Sequence, residues 1–490
     1  MKPYAKEYDV VVIGGGLLGC FAARNLTRYN LKTALFEQRE DLCTGISRSN
    51  TAIVYAGCDI KPGTLKAATC VRSAQNFANL CDELGVRYSP CGSLMVSFGE
   101  HGTNVLYRKL DLGVANGVRG MELLSREQIL ALEPNIAENV HKGLFVPDTG
   151  TVMPWELCLA AAENAANNGA EIMLNTEVTG IKRLSNGYEI RTAEGRFFAR
   201  GIINCAGLTA DAILEMIAEP SVRILPSACD YFILDTTAAG HISHIIFHEP
   251  EEGDKGLTLV PTVDGNILIG STERAGNDFA TDDAGLNKLR ELISLVMPTL
   301  PMEQVIRSFG AVRPNPYKFQ KDKNGEYTAD GKSVSDFCIV ESSDQTAISL
   351  VGIKTPGLTC ANELGIYVAD KIAASLGAAA NSLFDPRCTS PVRLNSLPFE
   401  EREAFVCGKD SCYNRVICRC RGITEGEIVD AIHHFPGATT IDGIKRRTGC
   451  GSGRCQGSFC AQQIITILAR ELNCKPEEIT KDGTGSYFLS

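Results

Sequence analysis

The chain has 490 residues, enough for two or three domains with sizeable cores. Its 48 Lys and Arg against 58 Asp and Glu give a formal net charge of -10, which argues against nucleic acid as the main partner. No run of 18 uncharged apolar residues occurs, so we predict no membrane span, and twenty cysteines without a pairing pattern favour a reducing cytoplasm.

The first predicted element is a strand, glycine turn and helix of the kind that binds dinucleotides. A β-branched run at residues 10–13 is followed by Gly14, Gly16 and Gly19 in G-x-G-x-x-G spacing, and residues 17–29 have helical apolar spacing. Gly14 permits the tight turn, Gly16 has no Cβ to hold a pyrophosphate away, and Gly19 lets the helix pack closely on the strand. The helix N-terminus then offers N–H groups to phosphates.

The next stretch adds a second sign of cofactor binding. A short apolar run ends at Glu37, where a carboxylate can accept hydrogen bonds from ribose hydroxyls. Residues 45–50 then read G-x-S-x-x-N, and this stretch after a dinucleotide fingerprint resembles the D-amino-acid oxidase and glycerol-3-phosphate dehydrogenase superfamily of FAD enzymes. Residues 62–67 continue the likeness, especially to glycerol-3-phosphate and L-2-hydroxyglutarate dehydrogenases.

Further elements follow in chain order. The predicted ones are a helix over 64–85, a strand at 92–96, a helix at 126–132, a helix from Pro154 to Asn168, a strand at 201–207, short strands between 222 and 277, a strand at 348–351 and a helix after the glycine turn 352–359 running to about residue 374. The resemblance extends over roughly residues 8–376.

The resemblance implies an α/β fold: a Rossmann-like FAD-binding domain with an interleaved antiparallel β-sheet substrate domain, plus a small helical C-terminal domain. The expected FAD-binding segments are about 1–85, 150–220 and 335–380, the substrate-domain segments about 86–149 and 221–334, the linker 381–415, the C-terminal domain 416–472 and the tail 473–490. The FAD-binding residues that it implies are Gly14, Gly16, Leu18, Gly19, Glu37, Gln38, Ser47, Asn50, Thr51, Val178, Ala206, Gly207, Gly352, Pro356, Gly357, Leu358 and Thr359.

A group of cysteines near the C-terminal end is the second strong signal. Cys418 and Cys420 are followed by Cys450, Cys455 and Cys460. Thiolates bind zinc or iron–sulfur clusters, and four of them close a site. The spacing resembles bacterioferritin-associated-ferredoxin-like domains with a [2Fe–2S] cluster, and carried over by residue the ligands are Cys418, Cys420, Cys455 and Cys460. A structural zinc, free thiols, or a set with Cys450 in place of Cys460 remain alternatives.

The run Lys445-Arg446-Arg447 lies in the same region. It is either a docking patch for an electron-transfer partner or a solvated helix face.

Candidate substrate residues are cationic. Arg313 stands in an Arg-Pro motif that, in the resembling enzymes, holds a substrate carboxylate or phosphate, and Lys354 lies in the predicted flavin loop. Tyr55 stands where relatives usually have the histidine to which some attach flavin, so we expect non-covalent FAD. Weaker candidate cations are Arg48, Lys255 and Arg307; one of His241, His244 and His248 is a candidate base, although a surface position is expected for each.

These patterns predict an FAD and [2Fe–2S] dehydrogenase that oxidises a small anionic secondary alcohol, with glycerol 3-phosphate to dihydroxyacetone phosphate as the leading reaction. Alternatives are a 2-hydroxy acid such as L-2-hydroxyglutarate, an amino acid, or an electron-transfer subunit without its own substrate. Only one G-x-G-x-x-G in a strand–helix context occurs, so we expect a separate electron acceptor, either a flavin/NAD subunit or a quinone-linked one.

Overall fold

The structure is a computed structural model that describes residues 4–251, 255–321, 327–388, 391–408 and 411–488. Within these residues its twelve α-helices are α1 (Leu17–Leu26), α2 (Leu65–Leu84), α3 (Glu100–Asn116), α4 (Arg126–Leu132), α5 (Pro154–Asn167), α6 (Ala210–Glu215), α7 (Asp283–Val296), α8 (Ala361–Leu376), α9 (Phe399–Gly408), α10 (Glu425–His433), α11 (Ile441–Thr448) and α12 (Ala461–Glu471).

The strands in the described residues are β1 (Lys6–Ile13), β2 (Thr33–Phe36), β3 (Ile53–Val54), β4 (Tyr88–Ser89), β5 (Ser93–Ser97), β6 (Glu122–Leu124), β7 (Lys142–Val146), β8 (Gly150–Val152), β9 (Glu171–Met173), β10 (Gly180–Leu184), β11 (Gly187–Thr192), β12 (Gly195–Asn204), β13 (Val222–Leu234), β14 (Ile245–Glu249), β15 (Thr258–Pro261), β16 (Ile267–Gly270), β17 (Arg274–Ala275), β18 (Val305–Lys321), β19 (Tyr327–Ser333), β20 (Cys338–Glu341), β21 (Ala347–Val351), β22 (Val416–Cys418) and β23 (Ile423–Thr424).

The first sheet is the predicted dinucleotide-binding one. Its strand order is β10-β11-β12-β1-β2-β9, with β21 beside β12 and β20 beside β21. The pairs of β1 with β12 and β2 are parallel, and their register places Ile13 beside both Asn204 and Phe36. The carboxyl ends of β1, β2 and β12 therefore meet at one edge of the sheet, which is where ligands bind in open α/β sheets.

Helices α1, α5 and α8 cover one face of this sheet. Their buried side chains join strand residues in one core that includes Phe21, Leu35, Leu157, Ile203 and Val368. A Cβ on Gly365 would lie 2.7 Å from the Phe21 carbonyl oxygen, so this glycine allows α8 to approach α1 closely.

The second sheet has ten strands in the order β19-β18-β13-β16-β15-β14-β5-β7-β6, with β17 beside β13. All of its pairs are antiparallel except β14 with β5. Its core is built from strand residues such as Phe232 and Ile269 together with Leu289 and Ile293 of α7. The chain contributes strands to this sheet in two separate stretches, β5–β7 and β13–β19, as the interleaved fold class predicts. The long antiparallel pair β13–β18 places Ser227 opposite Arg313.

Helices α10, α11 and α12 and the hairpin β22–β23 form the small third unit around its own core. Helix α10 begins with a capping box: the Thr424 side chain accepts from the Glu427 N–H at 3.4 Å, and the Glu427 carboxylate accepts from the Thr424 N–H at 2.9 Å. Within the described residues, no helix combines the length and apolarity that a bilayer crossing requires. The domain boundaries remain predictions; the stretch expected to be a linker contains α9.

Candidate active site and cysteine cluster

A cavity of about 780 Å³, here called the main cavity, opens at the carboxyl edge of the first sheet. Its wall is drawn from segments that are far apart in sequence: the glycine turn, the stretches 36–40 and 44–51, and residues near 178, 206, 313 and 356. All of the predicted cofactor-binding residues line it except Gly19, Gly352 and Thr359.

Those three residues contact residues that line the cavity. A Cβ on Gly19 would overlap the carbonyl oxygen of Gly14, so Gly19 permits the helix–strand approach predicted for it. Gly352 has φ +62° and would place a Cβ 2.7 Å from Pro316. The hydroxyl of Thr359 accepts the Tyr55 backbone N–H at 3.0 Å.

The glycine turn leaves room for a ligand beside the start of α1. Gly14 has φ +104°, and a Cβ there would lie 2.5 Å from the Cys205 carbonyl oxygen. A Cβ on Gly16 would lie 2.9 Å from the Ser47 hydroxyl, which accepts the Leu17 N–H at 2.9 Å. This backbone cradle, at a helix N-terminus, suits a pyrophosphate.

Glu37 is buried on the cavity wall and anchored by the backbone. Its carboxylate accepts from the Gly15 N–H at 2.6 Å and from the Arg39 N–H at 2.9 Å, and burial raises its pKa despite these bonds. A carboxylate has about four lone-pair sites, so acceptors remain for ribose hydroxyls. Gly15 was not singled out from the sequence, although it lies inside the fingerprint; a Cβ there would lie 2.5 Å from Leu42.

Cationic and phenolic groups meet on another part of the wall, where Tyr55, Tyr231, Arg313 and Lys354 all line the cavity. Arg313 donates from Nε to the Cys229 sulfur at 3.2 Å and from Nη2 to the Ser271 hydroxyl at 3.0 Å. Burial alone would lower the pKa of Arg313, but Tyr231, Cys229 and Glu273 raise it, so the guanidinium stays charged.

Lys354 is held by a polar chain. Its ammonium donates to the Asn315 side chain at 3.0 Å, Asn315 donates to the Ser227 hydroxyl at 2.9 Å, and Ser227 donates to Glu273 at 2.8 Å. Burial, followed by the charge of a neighbouring lysine, lowers the pKa of Lys354. Lys255, 3.5 Å from Glu273, has its pKa lowered to about 8 by burial and by Arg313.

Two tyrosines face the same part of the cavity. Burial raises the pKa of Tyr55, whose ring lies 6.0 Å from that of Phe247. Tyr231 stacks on Phe309 at 4.8 Å, and burial raises its pKa to about 12, so both phenols are neutral hydrogen-bond donors at ordinary pH. The sequence places Tyr231 only among the short strands expected between residues 222 and 277.

The candidate histidines are elsewhere. None of the histidines lines the described wall of the main cavity. His241 and His244 are half-buried, whereas His248 is buried beside Phe98, so the surface position expected for His248 is wrong. His248 lies on β14, an inner strand of the second sheet with β15 on one side and β5 on the other. Elements packed around an inner strand cover its side chains.

The five C-terminal thiols form two adjoining groups, together called the cysteine cluster. The sulfurs of Cys418, Cys450 and Cys460 all lie within 4.8 Å of one another and are buried, while those of Cys420 and Cys455 are 3.6 Å apart. An all-sulfur donor set fits an iron–sulfur cluster or zinc. The sulfur of Cys450 therefore lies within 4.8 Å of those of two predicted ligands, Cys418 and Cys460. The choice of four ligands remains a prediction.

The run Lys445-Arg446-Arg447 is neither a docking patch nor a solvated face. Arg446 donates to Asp41 at 2.7 Å and Arg447 donates to Asp41 at 2.8 Å, with Asp41 only 1% exposed. Both expectations fail because the first sheet's loop supplies a buried carboxylate that the sequence near residue 446 does not reveal. The two arginines fasten α11 to the dinucleotide-binding part.

Comparison with known proteins agrees with this geometry. The family described as FAD dependent oxidoreductase matches residues 9–371, and the BFD-like [2Fe-2S] binding domain matches residues 416–470. A glycerol 3-phosphate dehydrogenase of Caloramator mitchellensis is 37% identical over 490 residues, covering 99% of this chain and 98% of that protein. An L-2-hydroxyglutarate dehydrogenase of Escherichia coli K12 is 27% identical, covering 76% of this chain and 95% of that protein.

Among solved structures, the dithionite-reduced L-α-glycerophosphate oxidase of Mycoplasma pneumoniae with FAD bound superposes with a TM-score of 0.70 at 25% identity, covering 79% of this chain and 99% of that one. The fingerprint cradle and the sulfur donor set accordingly correspond to two cofactors, FAD and a [2Fe–2S] cluster. The chain belongs to the FAD dependent oxidoreductase family and carries a BFD-like [2Fe-2S] binding domain after its oxidoreductase part.

Proposed function

We propose that this protein oxidises glycerol 3-phosphate to dihydroxyacetone phosphate and delivers the electrons to a separate protein. The observation that carries the substrate class is the meeting of Arg313 and Lys354 on one part of the main cavity. The relative from Caloramator mitchellensis, similar over its whole length, supports glycerol 3-phosphate in particular.

Arg313 is the proposed phosphate-binding residue. A guanidinium has five N–H donors, and the described hydrogen bonds use one on Nε and one on Nη2, so donors remain for two phosphate oxygens. Its bonds to Cys229 and Ser271 fix the direction of the planar group before substrate arrives. Such fixed geometry lowers the entropy that binding has to overcome.

Lys354 and Tyr55 have complementary proposed roles. Lys354 places a positive charge on the cavity wall, where it would stabilise negative charge that develops on the reduced cofactor. Tyr55, with its raised pKa, keeps its proton and would donate a hydrogen bond to a substrate oxygen. Bound FAD supplies the hydride acceptor, and the [2Fe–2S] cluster supplies one-electron transfer.

A separate electron-accepting protein is part of the proposal. Cys420 is exposed, and the neighbouring loop presents Phe459 at 83% exposure together with Arg454 at 66% of its side chain. Arg454 pairs with Asp235 at 2.8 Å, so the exposed Phe459 beside the redox centre is the main feature, and it suits a partner with a partly apolar face. A flavin/NAD subunit and a quinone-linked subunit are the two classes proposed, in the cytoplasm, where the chain's twenty cysteines would stay reduced.

An anaerobic substrate panel tests the reaction. Purified protein is mixed without oxygen with glycerol 3-phosphate, L-2-hydroxyglutarate, glycine or proline, and the visible absorbance of oxidised flavin is followed. We expect rapid bleaching by glycerol 3-phosphate and little by the others. Bleaching by L-2-hydroxyglutarate instead would favour the activity named for the Escherichia coli relative, and no bleaching by any anion would favour an electron-transfer subunit.

The same preparation tests how FAD is held. Tyr55 occupies the position where a histidine would allow covalent attachment, so acid precipitation should release the flavin into the supernatant. Flavin that remains with the precipitated polypeptide would contradict non-covalent binding.

A further inference from the structure

We propose that residues 480–487, which follow the [2Fe-2S] domain and lie outside both family matches, form an outer wall of the FAD site and couple FAD binding to docking of the [2Fe-2S] domain. These residues are called the tail loop. The inference concerns the cofactor and does not depend on which substrate the protein oxidises.

The tail loop contributes directly to the main cavity. Asp482 lines it, as does Arg48 of the 44–51 stretch, and the two side chains form an ion pair. The loop backbone also presses on the wall, because a Cβ on Gly483 would lie 2.8 Å from a carboxylate oxygen of Glu40, another lining residue. Glu40 lies three residues after Glu37, so the tail loop reaches the segment that carries the predicted ribose-binding carboxylate.

Asp482 also connects the cavity to the [2Fe-2S] domain. Its second carboxylate oxygen accepts from Arg446 of α11 at 2.9 Å. Arg446 is only 3% exposed on its side chain and simultaneously binds Asp41, which follows the 36–40 wall segment. Arg446 therefore touches both the tail loop and the loop that carries Glu37.

The tail loop is an ordered element fixed to α11. Thr480 and Tyr487 form a β-bridge, and the Ser486 hydroxyl accepts the backbone N–H groups of Asp482 and Gly483 at 3.0 Å. The carbonyl oxygens of Thr480 and Lys481 accept the first two N–H groups of α11 at 3.2 and 2.8 Å. The loop therefore moves with α11, and α11 is part of the [2Fe-2S] domain.

A shared wall implies reciprocal coupling. If FAD binds better when the tail loop and α11 are docked, then FAD must also favour the docked arrangement by the same factor. Bound FAD should accordingly slow the local unfolding of α11, and loss of the tail loop should weaken the binding of FAD.

The test compares three variants of the full protein after removal of FAD. One ends at Lys481, which removes the wall but retains the two carbonyls that bind α11; the second is Asp482→Ala; and the control is Glu477→Ala, an exposed carboxylate in the same tail. FAD affinity is measured by the quenching of FAD fluorescence. We expect the first two to lose FAD affinity by about fivefold or more, the lower end of usual coupling, and the control to match the wild type.

A second readout is hydrogen exchange of residues 441–448 with and without FAD. FAD should slow exchange there in the wild type and the control, and should have little effect in Asp482→Ala. Iron content and circular dichroism show whether each variant is folded; if the shortened chain is not, Asp482→Ala decides. Three results would each overturn the proposal. The first is unchanged FAD affinity in Asp482→Ala, and the second is tighter FAD binding in that variant because a negative charge is removed near an anionic cofactor. The third is hydrogen exchange in the wild type that does not depend on FAD.

Discussion

The main cavity and the cysteine cluster are built in opposite ways. The cavity takes its wall from the glycine turn, from stretches near residues 206 and 356, and from β18, and two sheets bring these together. The cysteine cluster takes its thiols from one small domain, mostly from a single glycine-rich loop over 449–460. The dispersed residues nevertheless gather at one cavity wall, whereas the cysteines leave the choice of four ligands open.

The difference lies in what each site demands of the sequence. A dinucleotide cavity needs particular backbone conformations, such as φ +104° at Gly14 and φ +62° at Gly352, and glycine marks these positions directly. Five cysteines carry the same ligand atom, so their identity indicates the chemistry but does not say which four bind. Spacing alone could not exclude Cys450, because the loop folds it beside Cys418.

Serine substitutions in the cysteine cluster have the largest expected effect. Cys418 belongs to every ligand set considered, so Cys418→Ser should abolish stoichiometric iron, because a [2Fe–2S] cluster of this kind is held by four cysteine thiolates. FAD should still bind, because the main cavity has its own core, and its affinity should fall only as far as α11 and the tail loop lose their docked arrangement. Exposed Cys407 provides the control, Cys407→Ser. Iron is measured chemically and flavin by absorbance.

Two more variants decide between ligand sets. The set Cys418, Cys420, Cys455 and Cys460 predicts full iron in Cys450→Ser and loss in Cys460→Ser. The reverse pattern would show that Cys450 replaces Cys460, and stoichiometric zinc in place of iron would contradict the [2Fe–2S] assignment at this site.

Asp41→Asn should have the next largest effect, on how the two regions hold together. Asp41 accepts from two buried arginines, and removing one member of such a network typically costs about 3–5 kcal/mol. The free energy of unfolding in urea measures it. Asp370→Asn is the matched control, since Asp370 is 48% exposed and should cost about 1 kcal/mol or less. Equal stability of the two variants would contradict the anchoring role.

The pH dependence of this effect has a definite sign. Burial raises the pKa of Asp41, but Arg447 and Arg446 outweigh it and hold the pKa below the ordinary value of 3.8. The stabilisation is therefore fully present above about pH 3.8 and is lost as pH falls through the lower pKa of the folded state. The deficit of Asp41→Asn should remain constant from neutral pH down to that point and narrow below it.

These contacts also show what the sequence can and cannot predict. The strand β1, helix α1 and the turn between them follow from local apolar spacing and glycines, although β1 begins at Lys6, four residues before the predicted run, and α1 ends at Leu26, three residues before the predicted end. Helix α4 is found at the predicted residues. By contrast, the partner of Arg446 lies about 400 positions earlier in the chain, and no local pattern connects them.

Helices α7 and α3 were not predicted, and they differ in how clearly their sequences show helical apolar spacing. Helix α7 has a regular buried stripe of Leu286, Leu289, Ile293 and Val296, so the sequence carries a clear helical period there. Helix α3 buries only Gly102, Leu106 and Gly113, and a single buried leucine does not define an apolar face in the sequence. Tyr231 lacked any mark of function until β13 and β18 placed it beside Arg313.

Arg313→Ala tests the substrate-binding part of the main cavity. Each lost charge-assisted hydrogen bond to substrate should cost about 1.5–3 kcal/mol, so kcat/KM should fall roughly 10- to 150-fold for one bond. Arg307→Ala, an exposed arginine on the same strand, is the matched control and should retain normal bleaching of flavin by substrate. FAD affinity should be unchanged in both. Unaltered steady-state kinetics in Arg313→Ala would remove this residue from the substrate site.

The smallest expected effect concerns Lys255, which acts through charge from behind the cavity wall. Burial and Arg313 lower its pKa to about 8, so its ammonium is present below that pH and disappears as pH rises through it. A positive charge near an anionic substrate should then be lost, and KM for glycerol 3-phosphate should rise across this range. The side chain is 34% exposed, so solvent screening limits the effect to about 1 kcal/mol, up to about fivefold in KM. Lys255→Gln should show the higher KM at every pH, without this step, whereas a wild-type KM that is flat through pH 8 would show that Lys255 does not influence substrate binding.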